Sequence, residues 1–277
     1  MSTDLLAGLQ EHLGSRYSLR EEVGHGGMAK VYRAEDRIRG RDVAIKVFRP
    51  ELAAALGRER FLREIRILGR LQHANILPLL DSGGGGGSLY FIAPYIAGSL
   101  QRRLEQHGPL PLAEVTAIAR DVAAALDHAC QHDVIHRDVK PGNVLLDEGR
   151  GVVCDFGVAR ALEVAGGERL SSSSGFAIGT PAYMSPEQAL GGEVDARTDV
   201  YGLGCVLYEM LIGEPPFAGP TPQAILARSL SGEVRPLRTI RPEVPAVMEA
   251  AIKAALESDR DRRPSTAGEL LGRLEGG

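Results

Sequence analysis

The stretch from Thr198 to Ile212, TDVYGLGCVLYEMLI, is apolar on almost every side of a helix, so the chain must bury it all round. No run of about 18 or more apolar residues appears, so the enclosure has to come from protein. The neighbouring sequence supplies it: Leu112 to Gln131 is a long amphipathic stretch, and beyond it Pro-rich loops alternate with helical patterns until about Leu274. The first third has a different period. Tyr17 to Val23, Val31 to Glu35 and Asp42 to Phe48 read as strands, and Ile76 to Leu80 and Leu89 to Ala93 as two more joined across Gly83–Gly87. Two helices accompany them, Thr3 to Leu13 and Leu56 to Leu71. The shift near residue 95 predicts an α+β chain of two lobes: a helical extension over 1–16, a small, mainly antiparallel-sheet lobe over 17–94 with one key helix, and a larger, mainly helical lobe over 95–277.

Charge narrows the partners. A formal net charge of -4 with 25% charged residues offers no basic excess for nucleic acid or an anionic membrane surface. Met1 to Gln10 lacks the basic-then-apolar layout of a signal peptide, which points to the cytoplasm. Cys130, Cys154 and Cys205 are far apart in apolar stretches, as expected of reduced core thiols. The 32 basic residues comprise 28 arginines and only four lysines, Lys30, Lys46, Lys140 and Lys253. A lysine is a compact point charge able to meet a phosphate oxygen and a carboxylate together.

Glu64 falls on the apolar face of the Leu56–Leu71 helix with Phe61, Ile65, Leu68 and Leu71, so it needs a cation from another element. Lys46, in the apolar frame Val43-Ala44-Ile45-Lys46, is the natural partner. Between the first two strands lies Val23-Gly24-His25-Gly26-Gly27-Met28-Ala29-Lys30-Val31. Its glycines let backbone N–H groups approach a polyphosphate, although a glycine cluster between strands also serves an ordinary hairpin turn.

The densest chemistry is His136-Arg137-Asp138-Val139-Lys140-Pro141-Gly142-Asn143, followed by Asp155-Phe156-Gly157. Phosphoryl transfer needs a carboxylate to take the hydroxyl proton, a cation near the transferred group and oxygen ligands for a metal. Asp138, Lys140, Asn143 and Asp155 supply these within 18 residues. With these motifs, Gly179-Thr180-Pro181-Ala182-Tyr183-Met184-Ser185-Pro186-Glu187-Gln188, Asp199 and Arg263-Pro264, the chain resembles the eukaryotic-like serine/threonine protein kinases of bacteria from about Tyr17 to Leu274.

That resemblance implies a bilobal kinase fold with ATP in the cleft and transfer of its γ-phosphoryl group to protein Ser or Thr hydroxyls. It implies Lys46 on the α- and β-phosphates and paired with Glu64, Asp138 as base, Lys140 on the γ-phosphoryl, and Asn143 and Asp155 on magnesium, with manganese an alternative. The glycine segment Val23 to Val31 would cover the phosphates. Adenine would lie among Val31, Ala44 and Leu145, with the Pro94 carbonyl and Ile96 amide as hydrogen-bond partners. Thr180 would stand beside Asp138 and Lys140, Glu187 would pair with Arg263, and Asp199 would hold the backbone of the loop. Ser172 and Ser174, in the run Ser171–Ser174, are candidate autophosphorylation sites whose phosphate could pair with Arg137; a flexible polar tip is the other reading. The family also includes homodimers and cytoplasmic domains of longer membrane-anchored sensor kinases. Two other activities share this sequence pattern in part: a catalytically silent ATP-binding module and a small-molecule phosphotransferase, the latter disfavoured by Gly179–Gln188. Departures from the common pattern are Ala29 for a third glycine, Ala93 where a larger side chain usually guards the ATP pocket, and Pro94 after it. Ala93 predicts an enlarged pocket. Cys154, just before Asp155, would face that pocket.

Overall fold

Alternate burial along consecutive strands builds the first part of the molecule. The computed structural model describes residues 3–27, 29–50, 53–54, 59, 65, 68–85, 88–156 and 181–277, with side chains from Gly8 onward. Helix α1 (Thr3–Leu13) leads into β1 (Tyr17–His25), β2 (Ala29–Asp36) and β3 (Arg41–Phe48), and later β4 (Asp81–Gly85) and β5 (Ser88–Pro94) complete an antiparallel sheet of order β1-β2-β3-β5-β4. Tyr32, Ala34, Val43, Ile45, Val47, Tyr90 and Ile92 form its buried face and share one core with Leu9 and Leu13 of α1. The Gln10 side chain fastens the helix by accepting from Leu19 N at 3.0 Å and donating to the Tyr17 carbonyl at 2.9 Å. The N-terminal extension is therefore part of the sheet's core.

Two strand expectations need correction. The apolar run Ile76–Leu80 is not a strand: Ile76 makes a single parallel bridge to Val153, and the strand is shifted to Asp81–Gly85. The reason is steric. Gly83 faces the Tyr90 ring, and a Cβ there would lie 2.4 Å from the tyrosine hydroxyl, so glycine is what lets this strand pair. The expected hairpin loop is accordingly shorter, with Gly83 to Gly85 inside the ladder. β1 also runs on to His25, since Gly24 and His25 pair with Val31 and Lys30. Most of the expected Leu56–Leu71 helix, Glu64 included, lies outside the described residues.

The described residues divide into two compact units, one from the chain up to Gln72 and from Leu77 to Ile96, the other from His73 to Ile76 and from Ala97 onward. In the second, β6 (Gly98–Ser99) precedes α2 (Leu100–His107) and α3 (Leu112–Cys130), and β7 (Val144–Asp147) with β8 (Arg150–Val153) completes a small sheet of order β6-β7-β8. Then come α4 (Pro186–Ala189), α5 (Ala196–Ile212), α6 (Pro222–Ser231), α7 (Leu237–Ile240), α8 (Ala246–Ala255) and α9 (Ala267–Glu275). Helix α5 is buried at every position from Thr198 to Leu211, packed against α3, α7, α8 and α9. Asp195 caps its start and Gly213, at φ 92°, ends it in the left-handed conformation that glycine adopts without a Cβ clash. Of the cysteines only Cys205 is fully buried; Cys154 is half-buried, and Cys130 is exposed because it ends α3 at the surface, contrary to its apolar surroundings in sequence.

Close approach to α5 positions the loop that follows α3. A Cβ on Gly202 would lie 2.9 Å from Val139 Cβ and 3.1 Å from the Val139 carbonyl oxygen. Gly202→Ala is expected to lose about 1–3 kcal/mol to overpacking, even after a helix-propensity gain of about 1 kcal/mol. Urea unfolding measures this against Gly272→Ala, where nothing lies within 4 Å and no loss is expected.

Candidate active site

The site residues of the second unit hang from one buried carboxylate. Asp199, in the first turns of α5 and 5% exposed, accepts the His136 N–H at 2.7 Å on Oδ2 and the Arg137 N–H at 2.8 Å on Oδ1. Burial pushes its carboxyl above the ordinary range, and His136 and the two N–H groups oppose that rise. Receiving two consecutive N–H groups goes with a left-handed Arg137, at φ 68°. Asp155 is left-handed too, at φ 67°. Such conformations cost about 1–3 kcal/mol each and gather where geometry serves chemistry.

His136 ties these two places together. Its fully buried ring sets Nε2 2.8 Å from the Cys154 carbonyl and Nδ1 3.2 Å from the Asp138 N–H. A carbonyl only accepts, so Nε2 carries the hydrogen and Nδ1 offers its lone pair. The ring edge meets Phe156 at a centroid distance of 4.6 Å. One imidazole thus joins the backbone before Asp155 to that of Asp138.

On this frame Asp138 Oδ2 receives Lys140 Nζ at 2.6 Å and Asn143 Nδ2 at 3.0 Å. Asn143 Nδ2 also donates to the Asp138 carbonyl at 2.8 Å, and its own carbonyl accepts the Cys154 N–H at 2.9 Å. The asparagine amide therefore turns its donors inward. Asn143 is buried, while Asp138 and Lys140 each keep 24% of their side-chain surface. Asn143 Oδ1 and Asp138 Oδ1 receive no hydrogen bond among the described residues. A carboxamide and carboxylates are hard oxygen donors of the kind a magnesium ion selects.

Helix α4 holds the loop from its other side. Gln188 Nε2 donates to the Arg137 carbonyl at 2.8 Å, and Ser185 with Gln188 forms a capping box at the start of α4. Glu187 and Arg263 make a two-pronged pair, 2.8 Å on each oxygen, with Thr198 Oγ1 adding a third bond at 2.8 Å. Arg263 also donates to the carbonyls of Glu257, Arg197 and Ser258. Burial works to raise the Glu187 carboxyl, but the Arg263 guanidinium outweighs it and holds it below the glutamate range. Sequence reasoning missed a second buried acid: Glu209 of α5 accepts the Tyr183 hydroxyl at 2.5 Å, and burial pushes both groups up. Its signal was present, an acid in an all-round apolar helix. The roles of Gln188 and His136 left no comparable trace.

In the first unit, Val31, Ala44, Lys46, Phe91 and Ala93 share the sheet face opposite the core, with Lys46 Nζ 5.9 Å from the Phe91 ring centre. Ala44 and Ala93 are direct cross-strand partners, as are Pro94 and Val43. Gly26 N–H closes the glycine turn on the Ala29 carbonyl at 2.9 Å. Alternation puts the Lys30 side chain on the face away from Lys46, where it pairs with Glu22 at 2.7 Å. His25 is exposed, Val23, Gly24 and Ile96 are partly buried, and in the second unit Leu145 pairs with Ser99. Met28, Glu64, Ser172, Ser174 and Thr180 lie outside the described residues.

The model of the family described as protein kinase domain matches residues 17–272. The chain belongs to the protein kinase domain family. The kinase domain is 41% identical over 263 residues to the DNA damage-responsive serine/threonine-protein kinase RqkA of Deinococcus radiodurans, covering 93% of this chain and 39% of that protein. It is 39% identical to the serine/threonine-protein kinase PknB of Mycolicibacterium smegmatis, over 94% of this chain and 42% of the relative. The chain thus spans about two fifths of the length of these curated relatives. A crystal structure of Rad53 1–466 in complex with AMP-PNP matches with a TM-score of 0.78 at 25% identity, covering 94% of this chain and 65% of that one. The kinase fold expected from sequence, an antiparallel sheet followed by a mainly helical part, is the fold found.

Arg263→Ala in this kinase domain would leave Glu187 buried without its cation, and is expected to cost about 3–5 kcal/mol in urea unfolding. The Glu187 contribution is present above the ordinary glutamate range and is lost as pH falls through its lowered value. The acid limb of the stability profile should flatten in Glu187→Gln.

Proposed function

We propose that the chain is an ATP- and magnesium-dependent kinase that phosphorylates serine and threonine hydroxyls of proteins. The observation that carries this reading is the Asp138 carboxylate, held by Lys140 and Asn143 on one oxygen and without a hydrogen bond on the other among the described residues. Oδ1 is the atom to receive a hydroxyl proton. As it does so, the hydroxyl oxygen bonds to the γ-phosphorus of ATP, the bond from phosphorus to the bridging oxygen breaks, and ADP leaves. Lys140, in contact with Asp138, neutralises charge on the transferred group. Asn143 Oδ1 and Asp155 would hold magnesium, whose charge would screen the phosphate oxygens. Lys46 takes the α- and β-phosphates with Glu64 as its partner, and the N–H groups of Val23 to Val31 cover them; Lys30 contributes backbone only, since its ammonium serves Glu22. Adenine contacts fall to Val31, Ala44, Leu145, Pro94 and Ile96. Residues 17–94 and 95–277 act as the two lobes, and Ser171–Ser174 as a site of autophosphorylation.

Serine/threonine choice is supported by the relatives' names and by Lys140 in the loop. No helix of the described residues is long and apolar enough to cross a membrane. Asp138→Asn should lower radiolabel transfer from ATP to a generic protein acceptor by about 10²–10⁴ with the unfolding midpoint kept. Equal transfer by wild type and variant would refute the reading. The small Ala44–Ala93 pair should admit adenine analogues with bulky substituents, and Ala93→Met should exclude them; steady-state competition against ATP checks this.

A further inference from the structure

Three of the seven histidines stand in a row in the second unit, apart from the site. His73 stacks on His128 at a centroid distance of 5.0 Å, and His128 meets His132 at 4.5 Å. Two of the rings, His73 and His128, are placed so that a proton on a named nitrogen is unfavourable. His73 Nδ1 accepts the Asn75 N–H at 3.1 Å, so a proton there would set donor against donor. His132 Nδ1 donates to the His128 carbonyl at 2.8 Å. His128 Nε2 is buried with no hydrogen-bond partner among the described residues, so a proton there would be a buried donor without an acceptor.

Among the described residues no carboxylate acts on His128. The titratable groups acting on His128 are His132 and His73. The carboxylates of its own helix are turned elsewhere: Asp121 accepts from Gly151 N, and Asp127 from Ala267 and Gly268 N. Asp133, in the following turn, acts on Cys130.

The column is coupled to the active site through Asn75. This residue is 8% exposed; its carbonyl accepts the Val153 N–H at 2.8 Å and its side chain donates to the Gly151 carbonyl at 2.8 Å. Ile76 bridges to Val153 beside it. His73 thereby fixes a segment that grips β8, and β8 runs through Cys154 into Asp155.

We propose that the histidine column is a proton-operated latch: with neutral rings it holds His73–Ile76 on β8, and proton uptake frees that segment and loosens the strand leading to Asp155. The effect on phosphoryl transfer rests on the role proposed for Asp155; the latch itself does not. Burial, then His132 and His73, hold the His128 imidazole below its usual range. The released form therefore takes up a proton at higher pH than the latched form, so latching is complete above the ordinary imidazole range and is lost as pH falls below it.

Amide hydrogen exchange of Val153, corrected for intrinsic rates, tests this on the nucleotide-free chain. Between about pH 7.5 and about pH 5.5, spanning the imidazole range, wild-type protection at Val153 should fall about five- to tenfold relative to Leu110, the change expected for one lost hydrogen bond. Leu110 donates to the Met210 carbonyl, away from the column, and reports general loosening. His73→Asn keeps an acceptor for the residue two positions on without titrating, and His128→Phe keeps a ring. Together they should abolish the fall; if that variant does not fold, the exposed His132→Gln must shrink it. A fall of the same size in the variants, or none in wild type, overturns the latch. Either result leaves phosphoryl transfer standing, since that is judged by Asp138→Asn.

Discussion

The geometry of this kinase domain depends on one buried acidic side chain, Asp199. A lone carboxylate in an apolar helix bundle would be protonated or excluded; this one is retained because two consecutive backbone N–H groups converge on it. The bargain works in both directions. The N–H groups of His136 and Arg137 are themselves satisfied at the entrance of a loop with no sheet or helix to supply partners. Because Asp199 sits in a helix enclosed on every side, the loop takes its position from one of the most enclosed elements of the second unit.

From there the dependence runs outward along hydrogen bonds. Arg137 gives its N–H to α5 and its carbonyl to Gln188 of α4, so this one left-handed residue is held from two helices. Helix α4 is too short to hold itself in place. Its anchor is Glu187 on Arg263, which lies 76 residues further along the chain and is satisfied by three carbonyls besides. Arg263 touches none of the chemistry described above, yet Asp138 is three links away from the residue it fixes, through Gln188 and Arg137. The desolvation of that ion pair is tolerable because nearly every donor and acceptor in it is matched.

How much of this was legible in sequence varies with the kind of signal. Strands β2 and β3, α1, α3 and α5 follow from hydrophobic period within about a residue or two, because one face or all faces of each are buried. Strand β4 was illegible for a specific reason: its sequence, DSGGG, has no period at all, and its pairing is selected by the Tyr90 ring across the ladder. In the apolar run before it only Ile76 is buried, and with Asn75 it serves β8 inside the second unit. Lys30 looked like its neighbours in a glycine-rich turn, and only the parity of the β2–β3 register separates it from Lys46. Glu209 could have been flagged by the rule that flagged Glu64. Its partner Tyr183 could not, since a contact between a loop and a helix 26 residues on leaves no period to read.

The direction of the hydrogen bonds says more about chemistry than the list of residues does. In the loop from His136 to Asn143, N–H groups point inward: two to Asp199, one to the His136 ring, and the Asn143 amide to Asp138. What is left without a donor among the described residues is oxygen, at Asp138 Oδ1 and Asn143 Oδ1, beside a single ammonium at Lys140. An array of acceptors around one cation suits a reaction in which a proton must be taken and a metal held while an anion is transferred. A site made to bind a phosphate at rest would be lined the opposite way, with N–H groups outward, as the backbone of a glycine turn allows. The acceptor lining belongs to the loop after α3 in the second unit, whereas in the glycine-rich turn between β1 and β2 the Gly26 N–H is already given to the Ala29 carbonyl.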